Sequence, residues 1–166
     1  MIWIRISIAV LVAYLVMTAS FILTIVPAAS LIDPDRLRDP DTGLMTNWFI
    51  FVVQFPIAIF TSLVGGLVAA LVAGRRGRRY AIRGLITLVI VAGLFGAVAS
   101  LFREPPPPAA TSEAGETPSI VVPIQPYWDL ILLPLVGGLG TLMGGRLIER
   151  ASEGLALPKS DEAADE

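Results

Sequence analysis

The chain alternates long uncharged apolar runs with short polar segments. Because an α-helix rises 1.5 Å per residue, about 20 apolar residues cover the 30 Å hydrocarbon core of a bilayer. We therefore predict an all-α integral membrane protein, with a transmembrane domain over 1–149 and a disordered acidic cytoplasmic tail over 150–166. The four predicted transmembrane helices cover residues 6–26, 48–73, 85–102 and 128–148.

The first and fourth runs need separate arguments. A cleaved signal peptide is the alternative for the first run, with small-residue cleavage sites at 26–28 and 28–30. An uncleaved helix is favoured because the run exceeds the 7–15 residues typical of a signal sequence. The fourth run is apolar only over 130–145. It spans if one interface is marked by Tyr127, Trp128 and Asp129 and if Arg146 extends to the other.

The positions of the basic residues determine the predicted membrane topology. The segment Gly74 to Gly84 is expected to be a cytoplasmic loop, and its arginines are expected to contact anionic lipid headgroups in preference to nucleic acid. With both termini cytoplasmic, nine of the 12 basic residues lie inside, as positive-inside orientation requires. The loop arginines are Arg75, Arg76, Arg78, Arg79 and Arg83.

The amino-acid composition excludes several kinds of catalytic and metal-binding site. The chain is 55% hydrophobic and 16% charged, and it contains neither Cys nor His. Thiolate and imidazole chemistry and the usual zinc and copper ligand sets are thereby excluded, and we expect no cofactor and no metal. Richness in Ala, Gly and Pro with a single lysine, Lys159, favours a bacterial inner membrane protein.

Aspartates precede the second run in two Asp-Pro-Asp units. One interpretation is part of a calcium loop, although the closing Glu is missing and two arginines intervene. The favoured interpretation places Asp33 or Asp39 as helix N-caps, with the following proline at the first helical position. The carboxylates concerned are Asp33, Asp35, Asp39 and Asp41.

No catalytic arrangement is evident, so we expect a protein that is not an enzyme. The chain offers no paired carboxylates, phosphate-binding glycine loop or activated serine. An enzyme acting on lipid at the interface would at least need Asp129 to cluster with another carboxylate.

Small residues recur at helical spacing in three of the runs, a pattern that lets helix backbones approach closely in membranes. They pack either within the chain or against another subunit. These predicted helix-packing residues are Gly66, Ala70 and Gly74, then Ala92, Gly96 and Ser100, and finally Gly140 and Gly144.

A possible solute path is indicated by Gln54, Pro56 and Pro134. Helices interrupted by proline expose backbone carbonyls to an ion or substrate in some transporters. The alternative is a simple kink at each proline, with the Gln54 amide bonded to a neighbouring helix. The kink is favoured because no charged residue lies in the interior of any span, away from its ends.

The motif Leu-Val-Gly-Gly-Leu occurs at 63–67 and again at 135–139. Two tandem helical hairpins are one interpretation of this repeat. The favoured interpretation is chance similarity, because small and aliphatic residues are common in membrane helices. The first functional hypothesis is an accessory or assembly role, with the chain packing against itself or a larger membrane complex. The second is a minor channel or carrier for a small neutral or lipid-like solute.

Overall fold

The computed structural model describes residues 2–39, 42, 44–102 and 125–154. These residues form an all-helical structure, which confirms the predicted class. Helix α5 continues to Gly154, within the range assigned to the acidic tail, and 155–166 lie outside the described residues. The elements are α1 (Ile2–Ser30), α2 (Pro34–Leu37), α3 (Asn47–Phe49), a π-helix (Ile50–Gln54), α4 (Phe55–Leu101) and α5 (Tyr127–Gly154).

Within the described residues, three helical segments are long and apolar enough to cross a membrane: α1, Asn47–Ser100, and Trp128–Ala151 of α5. Large apolar side chains cover the outer surface of each, including Leu23 at 74% exposure and Phe95 at 75%. Exposed apolar surface on this scale marks a protein that faces lipid or another protein.

Helix α4 is broken at Gly74, which has φ 70° and ψ 177°. The break divides α4 into an N-terminal arm (55–73) and a C-terminal arm (75–101). The predicted loop over 74–84 is therefore wrong except at Gly74, because the arginines occupy the first turns of the C-terminal arm. Arginine is a good helix former, and the buried Ala81, Ile82 and Leu85 give this stretch an apolar face to pack.

Helix α5 lies beside the N-terminal arm and runs in the same direction. At one end Gln54 bonds to Asp129, and further along both segments Gly66 lies against the backbone of Thr141. A Cβ atom at Gly66 would overlap the Thr141 carbonyl oxygen, so the two backbones are in direct contact.

Helix α5 also packs against the C-terminal arm, and the two run antiparallel. Pro134 packs on Gly93, whereas Gly145, further along α5, packs on Ile82, which comes earlier in the arm. Since α5 is parallel to one arm and antiparallel to the other, the two arms run in opposite directions.

Helix α1 packs against both arms. Met17 lies against Gly65 of the N-terminal arm and Val10 against Gly84 of the C-terminal arm. Near the break, Nε of Arg5 donates to the carbonyl oxygen of Val72 at 3.0 Å. The core between these segments consists largely of alanines, which permit close approach: Ala9, Ala13, Ala69, Ala73 and Ala81.

The helix departs from α geometry directly before Pro56, where a π-helix spans Ile50–Gln54. Proline has no N–H to donate to the preceding turn and its ring crowds that turn. In the wider π turn the N–H of Phe55 reaches the carbonyl of Ile50. Pro134, in contrast, lies inside the continuous helix α5, so the discontinuous helix considered at that proline is wrong.

The polar segment between α1 and α3 begins with a short helix whose N-cap is one of the two aspartates predicted for that role. Asp33 is the N-cap of α2, and Pro34 is its first residue. The backbone then folds back on itself, with a bridge between Arg38 and Met45 and a 2.9 Å bond from the Asp39 N–H to the Leu44 carbonyl. Asp41 lies outside the described residues.

The repeated motif makes equivalent contacts in the two halves of the chain. Gly65 lies against Met17, and Gly137, its counterpart in the second copy, lies against Val89. Both partners are separated by the same 72 positions as the two copies of the motif. The glycines therefore serve the same local packing in both halves.

Candidate functional site

Three predicted helix-packing glycines lie together at the contact between α5 and the N-terminal arm. A Cβ at Gly66 would overlap the Thr141 carbonyl, and one at Gly144 would overlap the Leu63 carbonyl. At Gly140 an added Cβ would lie 2.8 Å from the Cβ of Ser62. These glycines pack two segments of one chain, which is the first of the two interpretations of the stripes.

The remaining predicted packing residues have different environments. Ala70 is fully buried in the core, and Gly74 forms the break. Ala92 is half-buried, and the Ser100 hydroxyl donates to the Ala97 carbonyl of its own helix at 2.6 Å. Gly96 is exposed, with no atom within 4 Å of an added Cβ.

A cavity of about 260 Å³ lies where α1, both arms of α4 and α5 meet. It is partly open to the outside of the bundle, and α1 and α5 each pack mainly on α4. All four segments contribute to its wall: Tyr14, Met17, Thr18 and Phe21 from α1, Ala58, Thr61 and Ser62 from the N-terminal arm, Val89, Ala92 and Gly93 from the C-terminal arm, and Leu133, Pro134 and Gly137 from α5.

The cavity wall is apolar apart from a few hydroxyl groups, and none of these lining residues carries a charge. The Thr61 hydroxyl is already engaged by the Ile57 carbonyl of its own helix at 2.9 Å. Tyr14, Thr18 and Ser62 provide the other hydroxyls. This composition suits a neutral, mainly apolar molecule that makes at most a few hydrogen bonds.

Of the residues predicted to mark a solute path, Pro134 lines this cavity, whereas Gln54 and Pro56 are not among the described lining residues. Gln54 is 2% exposed, and its Nε2 donates to Oδ2 of Asp129 on α5 at 2.9 Å. The alternative interpretation of Gln54, an amide bonded to a neighbouring helix, is therefore confirmed.

Asp129 is fully buried at the start of α5, in a pair with Gln54. Its hydrogen-bond partner is an amide, whereas the lipid-enzyme hypothesis requires a second carboxylate. Two oxygens of the pair, Oε1 of Gln54 and Oδ1 of Asp129, are buried without a hydrogen-bond partner.

Aromatic side chains lie at both ends of the bundle. Next to the buried pair, Phe51 stacks on Trp128 with ring centroids 5.5 Å apart and contacts Phe55 edge-on at 5.3 Å. At the opposite end, Trp3 lies 5.8 Å from Tyr80, beside the arginine cluster. Tryptophan and tyrosine concentrate at membrane interfaces, so these two groups fit the two surfaces of a bilayer.

Four of the five clustered arginines are exposed, namely Arg75, Arg76, Arg79 and Arg83, whereas Arg78 is half-buried. Arg79 forms an ion pair of 3.7 Å with Glu149 on α5. An exposed pair of this kind contributes little to stability. The cluster therefore presents cationic side chains to the medium beside the break.

The hydropathy pattern locates the helices that carry these features but not the features themselves. Asp129 was placed at an interface because it precedes an apolar run, and the polar residue Gln54 was the signal that a partner was needed. The cavity leaves no linear pattern, since its wall combines positions from four separate segments. Comparisons with protein-family models, curated proteins and solved structures find no match to this chain.

Proposed function

We propose that this chain is a membrane protein that crosses the bilayer four times and binds a small neutral or lipid-like solute in the cavity between its helices. Supporting the four crossings, the two arms of α4 run in opposite directions, and each is long enough to cross the core of a bilayer. Both termini and the break at Gly74 are then cytoplasmic, with Asp35 on the outer side.

The threading has electrostatic support. Five arginines follow the break, and moving them across the hydrocarbon core would cost about 2.5–3.5 kcal/mol each. On the cytoplasmic side of a bacterial inner membrane they instead meet anionic headgroups, each worth about 1 kcal/mol near the surface. The lipid bilayer is thus the first proposed partner of this protein.

The cavity is the observation that carries the solute-binding function. At about 260 Å³ it exceeds the 150 Å³ apolar cavity known to hold benzene, and it lies just below the usual range for larger ligands. A small apolar molecule or one segment of an acyl chain matches that size. The absence of charge among the described lining residues favours a neutral solute over an ion.

An accessory or assembly role is the second candidate. The glycines that gave it most weight, Gly66, Gly140 and Gly144, pack within the chain. The observation that still favours it is the exposed face of the C-terminal arm at Gly96, where no described atom lies within 4 Å of an added Cβ. A second copy or a larger complex would use this face.

The solute-binding proposal predicts that a photoreactive fatty alcohol, which is uncharged, cross-links to residues inside the bundle. Ser62 is only 3% exposed, so a probe that stays in the surrounding lipid does not reach it. Replacing Ala92 with Leu fills part of the cavity and should reduce labelling at Ser62 several-fold. Mass spectrometry of the cross-linked peptides measures this labelling.

The matched control is Ala99→Leu, an exposed alanine on the same arm and outside the cavity wall. It should leave labelling at Ser62 unchanged. Labelling confined to outward-facing positions such as Phe95 in the unmodified protein would contradict the proposed function.

A further inference from the structure

The pair formed by Gln54 and Asp129 lies outside the cavity wall, and the proposed solute binding does not use it. Gln54 is the last residue of the π-helix, and Asp129 is in the first turn of α5. Their exposed fractions are 2% and 0%, and the hydrogen bond from Nε2 of Gln54 to Oδ2 of Asp129 measures 2.9 Å.

The single hydrogen bond between the two side chains leaves one oxygen atom of each residue unpaired. Oε1 of Gln54 and Oδ1 of Asp129 are both inaccessible to solvent, and neither has a hydrogen-bond partner among the described residues. Each is an acceptor, and buried acceptors in folded proteins are nearly always bonded to a donor. The pair therefore lacks a hydrogen atom that could be shared between these two oxygens.

Most of the charged side chains that the structure describes lie toward the other end of the bundle. Arg5 on α1 and the clustered arginines of α4 lie near the break, at the other end. On α5, Arg146 follows Asp129 by about 25 Å of helix, with Glu149 and Arg150 beyond it. Arg36 of α2 lies over the ring of Trp48, 5.9 Å from its centroid.

We propose that Asp129 and Gln54 form an internal proton-binding site in which one proton resides on Oδ1 of Asp129. The carboxylic O–H then donates to Oε1 of Gln54, while Nε2 of Gln54 donates to Oδ2. One proton thereby adds a second hydrogen bond, and the two side chains form a ring closed by two hydrogen bonds. Oδ1 then acts as a donor and Oε1 as its acceptor, so neither oxygen is left unpaired. Binding forms only the O–H bond and neutralises the carboxylate.

The site explains how a carboxyl group is accommodated at a fully buried position. An ionised carboxylate without a cation is very costly to bury, and a neutral acid with both hydrogen bonds made is not. The π-helix contributes by placing Gln54 on the face toward α5, and π turns inside helices frequently occur at functional sites. The Phe51 and Trp128 rings stack beside the pair.

Infrared difference spectroscopy tests the proposal directly. At neutral pH, where exposed carboxylates are ionised, the unmodified protein should show a carboxylic acid carbonyl band that disappears in Asp129→Asn. Asn can replace both hydrogen bonds of the ring, so the thermal midpoint of this variant should remain within a few degrees. Asp129→Leu removes both bonds and should lower the midpoint clearly.

A spectrum without that acid band at neutral pH would overturn the proposal. So would a thermal midpoint of the unmodified protein that falls when sodium and potassium are replaced by choline, with no such dependence in Asp129→Asn, because a metal cation would then supply the charge balance. Gln54→Leu should retain the acid band but shift its frequency. An unshifted band would mean that the acid is not bonded to Gln54.

Discussion

Replacing Gly144 with Ala should destabilise the bundle by about 1–3 kcal/mol, even though Ala is the better helix former. The added Cβ overlaps the carbonyl oxygen of Leu63, and a backbone atom cannot rotate away as a side chain can. Overpacking a well-filled contact costs this much, and here it must also exceed the 0.5–1 kcal/mol that Ala contributes in a helix. Unfolding in mixed detergent micelles measures the difference.

Gly96→Ala is the matched control for this prediction. Gly96 lies in a helix as Gly144 does, but no atom of the described residues lies within 4 Å of an added Cβ. The substitution should leave stability unchanged or raise it by the helix-propensity term alone. Equal stability of the two variants would show that α5 does not pack against the N-terminal arm as described.

Replacing Gly74 with Ala should also destabilise the protein, but through the backbone. At φ 70° and ψ 177° this residue occupies a conformation that is essentially restricted to glycine, and an L-residue there costs about 1–3 kcal/mol. The side chain of Arg5 is 3.2 Å from an added Cβ but is flexible enough to move. The same micelle unfolding experiment measures the loss.

The Gly74→Ala variant tests whether the break between the arms requires glycine at this position. If it does, Gly74→Ala destabilises the protein, whereas the control Gly96→Ala, at a glycine with helical backbone angles, does not. A fully stable Gly74→Ala protein would contradict the described backbone conformation of residue 74 at the junction of the two arms.

Much of the fold could be predicted from the sequence because lipid imposes a simple rule on length and charge. The apolar runs match the long helices, and Asp33 with Pro34 marks a helix start correctly. The exact turn could not be predicted, because a run of arginines flanked by glycines suits either a loop or an exposed helix end. Packing of Ala81 and Leu85 against α1 decides in favour of the helix.

The candidate sites depend on contacts between distant segments, and so they were only partly accessible from sequence. Gln54 was identified as a polar residue in need of a partner, but its pairing with Asp129 depends on the parallel alignment of α5 with the N-terminal arm. The small residues were recognised correctly as packing positions, yet only the assembled helices distinguish Gly144, which is enclosed, from Gly96, which is open.

The cavity and the buried pair have separate structural origins. Helices α1 and α5 each pack against both arms of α4, and the cavity is the space left where these four segments meet. The pair depends on the π-helix and the first turn of α5. Changes such as Ala92→Leu and Asp129→Asn should therefore act independently.

Four crossings of the membrane are the central claim, and labelling of single cysteines from each side tests it most directly. The chain has no native Cys, so each introduced residue reports alone. Asp35, Arg76 and Arg150 are exposed positions in three different polar segments. With an impermeant thiol reagent on intact cells, cysteine at 35 should react from outside, whereas cysteines at 76 and 150 should react only after the cytoplasmic face is opened. Labelling of position 76 from outside would contradict the account. So would labelling of 35 and 150 from the same side with 76 unreactive from both, because the segment Asn47–Ser100 would then cross the membrane only once.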